Sequence, residues 1–492
     1  MMAGVPCLMA APEVAPTLKQ VPEWVAELEQ ATPTEAKKLA VPKDNAELRE
    51  KWKRWVKDYA ELPVELVRAN PAAAAFPGVV KPGTKPVTDF RFSVDMNQPR
   101  WQFTGLYAAP GEIVTVALPA EATKRGLKVR IGCHTDNITK QEKWSRFPSI
   151  SRATELKEPT TRIANPFGGL VYIEVPRDKD RGGIEMKTYG GYIWLDEKVD
   201  SARPPVVDAR ITGGVAAPSY RLGVTRPEQW SAQLAATGAP WGEMAGKRFI
   251  FSLPIDILRT VKDPEAVMRY WDKVLDDAWK FGGWRGERHV PERFVPDIMI
   301  SAGYLHSGYP FMGHYVHAKE VVDLETLKTK GNWGFFHELG HNHEGQAYTF
   351  DGFVEVVVNL HTLYLMKSMA NLDARQARPG WKPEEELKKV VGGSEDAFAR
   401  LALYVPLIDA FGFEALTKTF QTYWAKDGLQ GVGTGNQQKI DAFVERYSTT
   451  VGKNCADYFA LVHLKCSEPV AKKLSSLPRF MPAGLEQAPA AK

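Results

Sequence analysis

No stretch constrains this chain more than Trp333-Gly-Phe-Phe-His337-Glu338-Leu-Gly-His341-Asn342-His343-Glu344. Residues four apart lie one turn above each other on the same face of an α-helix, so His337 and His341 bring two imidazoles within reach of a single ion. Glu338 stands one position round, beside the open side of that ion. In an H-E-x-x-H helix the two histidines hold zinc and the glutamate activates a zinc-bound water. Phe335 and Phe336 are residues that bury such a helix in a core. Gly345 stands where a helix C-terminus would need a glycine.

Catalytic zinc takes three protein ligands and keeps one position open. A metzincin would place a third histidine six residues after His341 with a glycine midway, but those positions are Ala347 and Glu344. The apolar run Val354-Glu355-Val-Val-Val-Asn359-Leu-His361 offers one acid. A carboxylate among such neighbours is costly unless a metal or cation compensates it, so Glu355 is the expected third ligand. Asn359, one turn on, lies on the same face and is placed to orient a ligand from behind. Glu344 is the competing ligand, three residues past His341, but it falls at the fraying end of the helix. His343 points elsewhere and reads as a surface or substrate-side residue.

Together these pieces resemble the enhancin-like zinc metallopeptidases, peptidase family M60, which include bacterial mucinases. Members carry a helix like Phe335-Phe336-His337-Glu338-Leu339-Gly340-His341-Asn342-His343 and a later Gly-x-x-Glu-Val-x-Val-Asn run, matched here by Gly352 to Asn359. Further similar stretches are Ile300 to Pro310, Ala239 to Glu243, Gly105 to Glu112, Ile131 to Asp136 and Asn165 to Gly169. Glu344 departs from the pattern, since family members commonly have glutamine there. The resemblance implies a gluzincin-type zinc metalloendopeptidase with one zinc per chain and Glu338 as its base. It implies O-glycosylated, mucin-like proteins as substrates, and a location that is secreted or at the bacterial periplasm or cell surface. Two other readings stand beside it. One is a glycan-binding or regulatory module with a relic metal site, against which the intact Glu338 argues. The other is a zinc peptidase with no glycan requirement.

The rest of the chain suits an α+β multidomain protein. Its 492 residues, 44% hydrophobic, exceed a single core and suggest two to four domains. A net charge of +4 without a basic cluster gives no reason to expect nucleic acid as a partner. No stretch approaches the length of a membrane span. The four cysteines form no C-x-x-C pair, which argues against a zinc knuckle, and Cys455 with Cys466 can bridge only in an exported protein. Residues 1–15, with an apolar start that lacks a basic region, read as a leader remnant or a disordered tail.

Residues 16–87 read as a helical segment, with Leu48, Trp52, Trp55 and Tyr59 on one stripe and i,i+4 pairs such as Glu47/Lys51 opposite, followed by a Pro- and Ala-rich linker at 71–86. Residues 88–240 change to a period of two and read as a β-sandwich-like accessory domain, in which His134 and Asp136 are hydrogen-bonded core or turn residues. Residues 241–370 form the catalytic domain. In it Phe249–Leu253 is a strand, Asp263-Pro264 starts a helix, and Asp297–Ser301 is a strand leading into a loop. That Gly/Tyr/His-rich loop supplies Tyr304, Tyr309 and His306 as candidates for substrate contact or oxyanion stabilisation. Residues 371–492 form a helical C-terminal lobe.

Overall fold

The computed structural model describes residues 23–31, 39–40, 46–176, 184–188, 192–195, 206–284, 290–425, 428–430 and 432–485; segment 1–15 lies outside them. Two helices come first, Glu23–Ala31 and Ala46–Ala60. The aromatic stripe of the second faces the β-domain: Trp52 tilts onto Trp144 at 5.6 Å and Tyr59 onto Phe147 at 5.2 Å. The side chain of Leu48 lies outside those described. Lys51 pairs with Glu27 of the preceding helix at 3.5 Å rather than with Glu47. Segment 71–86 is more than a linker. Asn70 caps a 3-10 turn at Pro71–Ala74, and Ala72, Ala73 and Phe76 are buried, Phe76 against His134 and Trp241.

Alternating apolar residues then build two antiparallel sheets. One runs Phe90–Asp95, Val206–Thr212, Ile113–Ala117, Thr160–Ala164; the other Val215–Ala216, Arg100–Ala108, Gly169–Val175, Lys128–Ile131, Arg152–Glu155. Between them Val94, Val114, Val116, Val129, Val171, Ile173 and Ile211 close a sandwich core. Successive side chains of a strand point to opposite faces, so Trp101, Phe103, Tyr107 and Tyr172 leave the second sheet on its outer side. There they join Trp144, Trp241, Val295 and Met312 in a core that spans the junction with the next layer.

That layer is a mixed six-stranded sheet in the order Ser219–Arg221, Trp241–Ala245, Phe249–Pro254, Glu292–Asp297, Phe311–His314, Leu305–His306. It begins ahead of Trp241. Helix Pro264–Phe281 packs against it; Asp263 accepts the Ala266 amide hydrogen at 2.9 Å, and Val267, Trp271, Val274 and Leu275 are buried. The strand expected at Asp297–Ser301 lies upstream, at Glu292–Asp297. Each of its charged side chains is engaged by a residue far away in sequence. Glu292 accepts from Asn342, Arg293 pairs with Glu243, and Asp297 takes a bidentate contact from Arg146 of the β-domain at 2.8 Å. Beyond the sheet the described chain is helical. Cys455 and Cys466 are buried free thiols and do not form the bridge considered above. Among the described residues no helix is long and apolar enough to cross a membrane.

Arg146 and Asp297 are both buried, and removing one partner leaves an uncompensated charge. Asp297→Ala should therefore cost about 3–5 kcal/mol in urea unfolding, and the double variant Arg146→Met/Asp297→Leu clearly less. A single-variant cost below about 1 kcal/mol would show that the pair does not hold the junction.

Candidate metal centre

The H-E-x-x-H helix spans Trp333–His343, and the side chain of Asn332 starts it by accepting the Phe335 amide hydrogen at 3.1 Å. Phe335, Phe336 and Leu339 bury one face. The next long helix, Val354–Ala370, is apolar nearly all round and buries Val356, Val357, Val358 and Leu360. The two helices cross at Gly340. A Cβ there would lie 2.8 Å from Val358 Cγ2 and 3.0 Å from the Val358 carbonyl oxygen, so only glycine allows this approach.

The crossing sets Glu355 opposite both histidines. His337 Nε2 lies 3.4 Å from Glu355 Oε2, and His341 Nε2 lies 3.7 Å from Oε1. A tetrahedral ion with bonds of about 2.1 Å holds its ligand atoms roughly 3.4 Å apart, so the three side chains fit one. The second nitrogen of each ring is engaged. His337 Nδ1 is 2.9 Å from Asn359 Oδ1, and His341 Nδ1 is 2.8 Å from Glu344 Oε1. With Nδ1–H donating to those oxygens, both Nε2 lone pairs face Glu355. Burial, reinforced by neighbouring His337, lowers the His341 pKa to about 3, which keeps the ring neutral and able to ligate. Glu355 itself is 56% exposed at the open side.

Asn359 takes the place expected of it, and its amide also donates to the Glu355 carbonyl at 2.6 Å. Glu344 does not sit at a frayed end. It is 1% exposed and acts as acceptor behind His341, and burial, then the charge of Glu355, pushes its carboxyl well above the ordinary range. His343 is not on the surface; it is fully buried and its Nδ1 lies 2.7 Å from the Leu339 carbonyl oxygen. Gly345 has φ −88°, not the left-handed value of a terminating glycine. It is glycine because a Cβ would meet Trp424 at 2.6 Å and Tyr348 at 2.8 Å.

Burial raises the Glu338 carboxyl, opposed by His337, by the nearby Ser307 amide and by His306. Of the three loop candidates, His306 is the one that acts on Glu338. Tyr304 is 71% exposed, with its ring 5.7 Å from that of His314. Tyr309 is engaged at the junction, where its hydroxyl accepts from Arg293 at 3.3 Å and Arg100 stacks on its ring. Asn342 escaped the sequence reading although it lies inside the motif. Its side chain accepts the Gly308 amide hydrogen at 3.0 Å and donates to the Gly308 carbonyl at 3.2 Å, fastening the loop to the helix.

Residues 213–461 match the family described as peptidase M60, enhancin and enhancin-like, and residues 84–188 match the N-terminal domain of M60-like peptidases. TRPM8 channel-associated factor 3 of Rattus norvegicus is 32% identical over 413 residues, covering 82% of this chain and 42% of its own. TRPM8 channel-associated factor 2 of Homo sapiens is 32% identical over 393 residues, covering 78% and 40%. The chain thus spans less than half the length of these curated relatives. Among solved structures, the ZmpB metallopeptidase from Clostridium perfringens aligns with TM-score 0.60 at 15% identity over 80% of this chain and 82% of that one. The M60 catalytic domain of Clostridium perfringens ZmpC, in complex with the sialyl T antigen, aligns with TM-score 0.59 at 15% identity over 80% of each chain. At such identities the likeness concerns the fold.

Two substitutions test the centre. Gly340→Ala should force the helices apart, and Glu344→Leu should release His341 from its orienting partner. Each should weaken divalent-metal binding about 10- to 100-fold in a competitive chelator titration. Glu344→Gln, which still accepts from Nδ1–H, should lose less than Glu344→Leu.

Proposed function

The chain belongs to the peptidase M60, enhancin and enhancin-like family, and from this premise we propose that it is a zinc-dependent metalloendopeptidase hydrolysing peptide bonds in O-glycosylated, mucin-like proteins. One observation carries the reading: His337, His341 and Glu355 converge on a common point with Glu338 next to it in the same helix. These three residues would hold the ion, about one per chain. Zinc there would lower the pKa of a water molecule and polarise the scissile carbonyl.

The chain's own groups do the rest. Glu338 accepts the proton of the attacking water and returns it to the leaving amine. The Ser307 amide beside it favours its charged form. Burial raises its proton affinity, which suits a group that must hold a proton between the two halves of the reaction. Glu344 and Asn359 keep the imidazoles in the ligating tautomer.

The glycan requirement is supported by the solved neighbour that carries the sialyl T antigen. Such substrates would place the protein outside the cell or in the bacterial periplasm or cell surface. A second reading, a regulatory module, is supported by the names of the curated relatives, which are channel-associated factors.

Metal analysis should find about one zinc per chain, retained in Glu338→Gln, while hydrolysis by that variant falls by about two orders of magnitude or more. A mucin compared before and after enzymatic removal of its O-glycans separates the readings. Cleavage of the glycosylated form alone supports the proposal, and equal cleavage of both removes the glycan requirement. No cleavage of either by zinc-loaded protein supports the regulatory module.

A further inference from the structure

The loop from Ser301 to Gly308 reaches Glu338 between two anchors, and one of them belongs to the β-domain. Asp136 follows strand Lys128–Ile131 of the sandwich. Its Oδ2 accepts the Ser301 amide hydrogen at 2.6 Å and stands 2.7 Å from His306 Nε2, which also lies 3.4 Å from the Ser301 hydroxyl. The other ring nitrogen, Nδ1, lies 2.9 Å from the Ser307 carbonyl oxygen. A carboxylate and a carbonyl can only accept, so the ring satisfies both when each nitrogen carries a proton, as an imidazolium. Burial works against that charge, and the hydrogen bond and charge of Asp136 overcome it and raise the His306 pKa. Both ring protons are thereby committed inside the protein, which removes His306 as a donor to an oxyanion.

What the pair fixes is the backbone beside it. The loop runs along the H-E-x-x-H helix, with Leu305 over Gly334 and Gly308 held on both its amide and its carbonyl by Asn342, which brings the Ser307 amide beside Glu338. Cross-domain contacts flank the near end of the loop, where Gln141 donates to the Ser301 carbonyl and the Ser145 amide to Met299 Sδ. The path from the sandwich to the base therefore runs Asp136, His306, Ser307 amide, Glu338. Asp136 is about a tenth exposed.

Resting on the hydrolytic reading above, we propose that Asp136 is a positioning residue of the reaction: by holding His306 it fixes the loop whose Ser307 amide lies beside Glu338, so the β-domain supplies part of the catalytic apparatus. A base displaced by about 1 Å can lose on the order of a hundredfold in rate, so the pair matters for kcat although it touches neither substrate nor metal.

The test uses the full, zinc-loaded chain with Asp136→Ala, Asp136→Asn and Asp136→Glu. In each, kcat, KM, zinc content and amide hydrogen exchange over residues 301–308 are measured. Asp136→Ala and Asp136→Asn should lower kcat about 10- to 100-fold with KM within about twofold and zinc unchanged, and Asp136→Glu should restore part of kcat. Exchange over 301–308 should rise at least about tenfold in the first two variants and not in the H-E-x-x-H helix. Wild-type kcat in Asp136→Ala, or a loss that follows zinc content, overturns the proposal. So does wild-type exchange over 301–308. Should Asp136→Ala not fold, His306→Asn is read by the same criteria. A wild-type chain that hydrolyses no glycosylated or bare substrate sinks the hydrolytic reading instead, and the exchange measurement then still decides whether Asp136 anchors the loop.

Discussion

Everything around the centre depends on how closely two helices approach at Gly340. The ligand atoms come from both, so their separation is the separation of the helix axes adjusted by side-chain reach. A single methyl group at Gly340 would collide with Val358, and Glu355 would withdraw from the two imidazoles. The approach is stable because the surrounding faces are apolar, with Phe335, Leu339, Val357 and Leu360 in one continuous core. Setting two imidazoles at the edge of that core is tolerable only because each has a hydrogen-bond acceptor behind it. Packing and polarity are thus solved by the same pair of helices.

Much of this was legible before any coordinates. Four-residue spacing puts His337 and His341 on one face whatever else the chain does, whereas the burial argument for Glu355 is not met, since its side chain is 56% exposed and it faces the imidazoles through the helix crossing. Period-two alternation revealed strands such as Phe90–Asp95 and Ile113–Ala117 for the same local reason. Legibility ended where the deciding neighbour is remote in sequence. Glu344 is buried rather than frayed, Gly345 answers to Trp424 and not to helix termination, and His343 packs near Trp279. The strand expected at Asp297–Ser301 lies at Glu292–Asp297, where its polar side chains are matched by the remote partners Arg146, Glu243 and Asn342. In each case a tertiary contact overrode a local propensity.

The sandwich is more closely joined to the catalytic layer than an appended module would be. Tyr172 of its second sheet donates to Glu243, which also accepts from Ser252 and pairs with Arg293, and Arg293 reaches back to the Trp101 carbonyl. Two sheets therefore share one hydrogen-bonded centre sealed by Trp101 and Tyr172. Low-dielectric surroundings make such a network strong when complete and costly when broken.

The ion pair Arg146–Asp297 bears on how this architecture can be inherited. Cutting the gene between the sandwich and the six-stranded sheet would leave a guanidinium stranded on one product and a carboxylate on the other, each on a face evolved to be dry. Recombination at that seam would leave an unpaired charge on each half, a cost that favours inheriting the two domains as one unit.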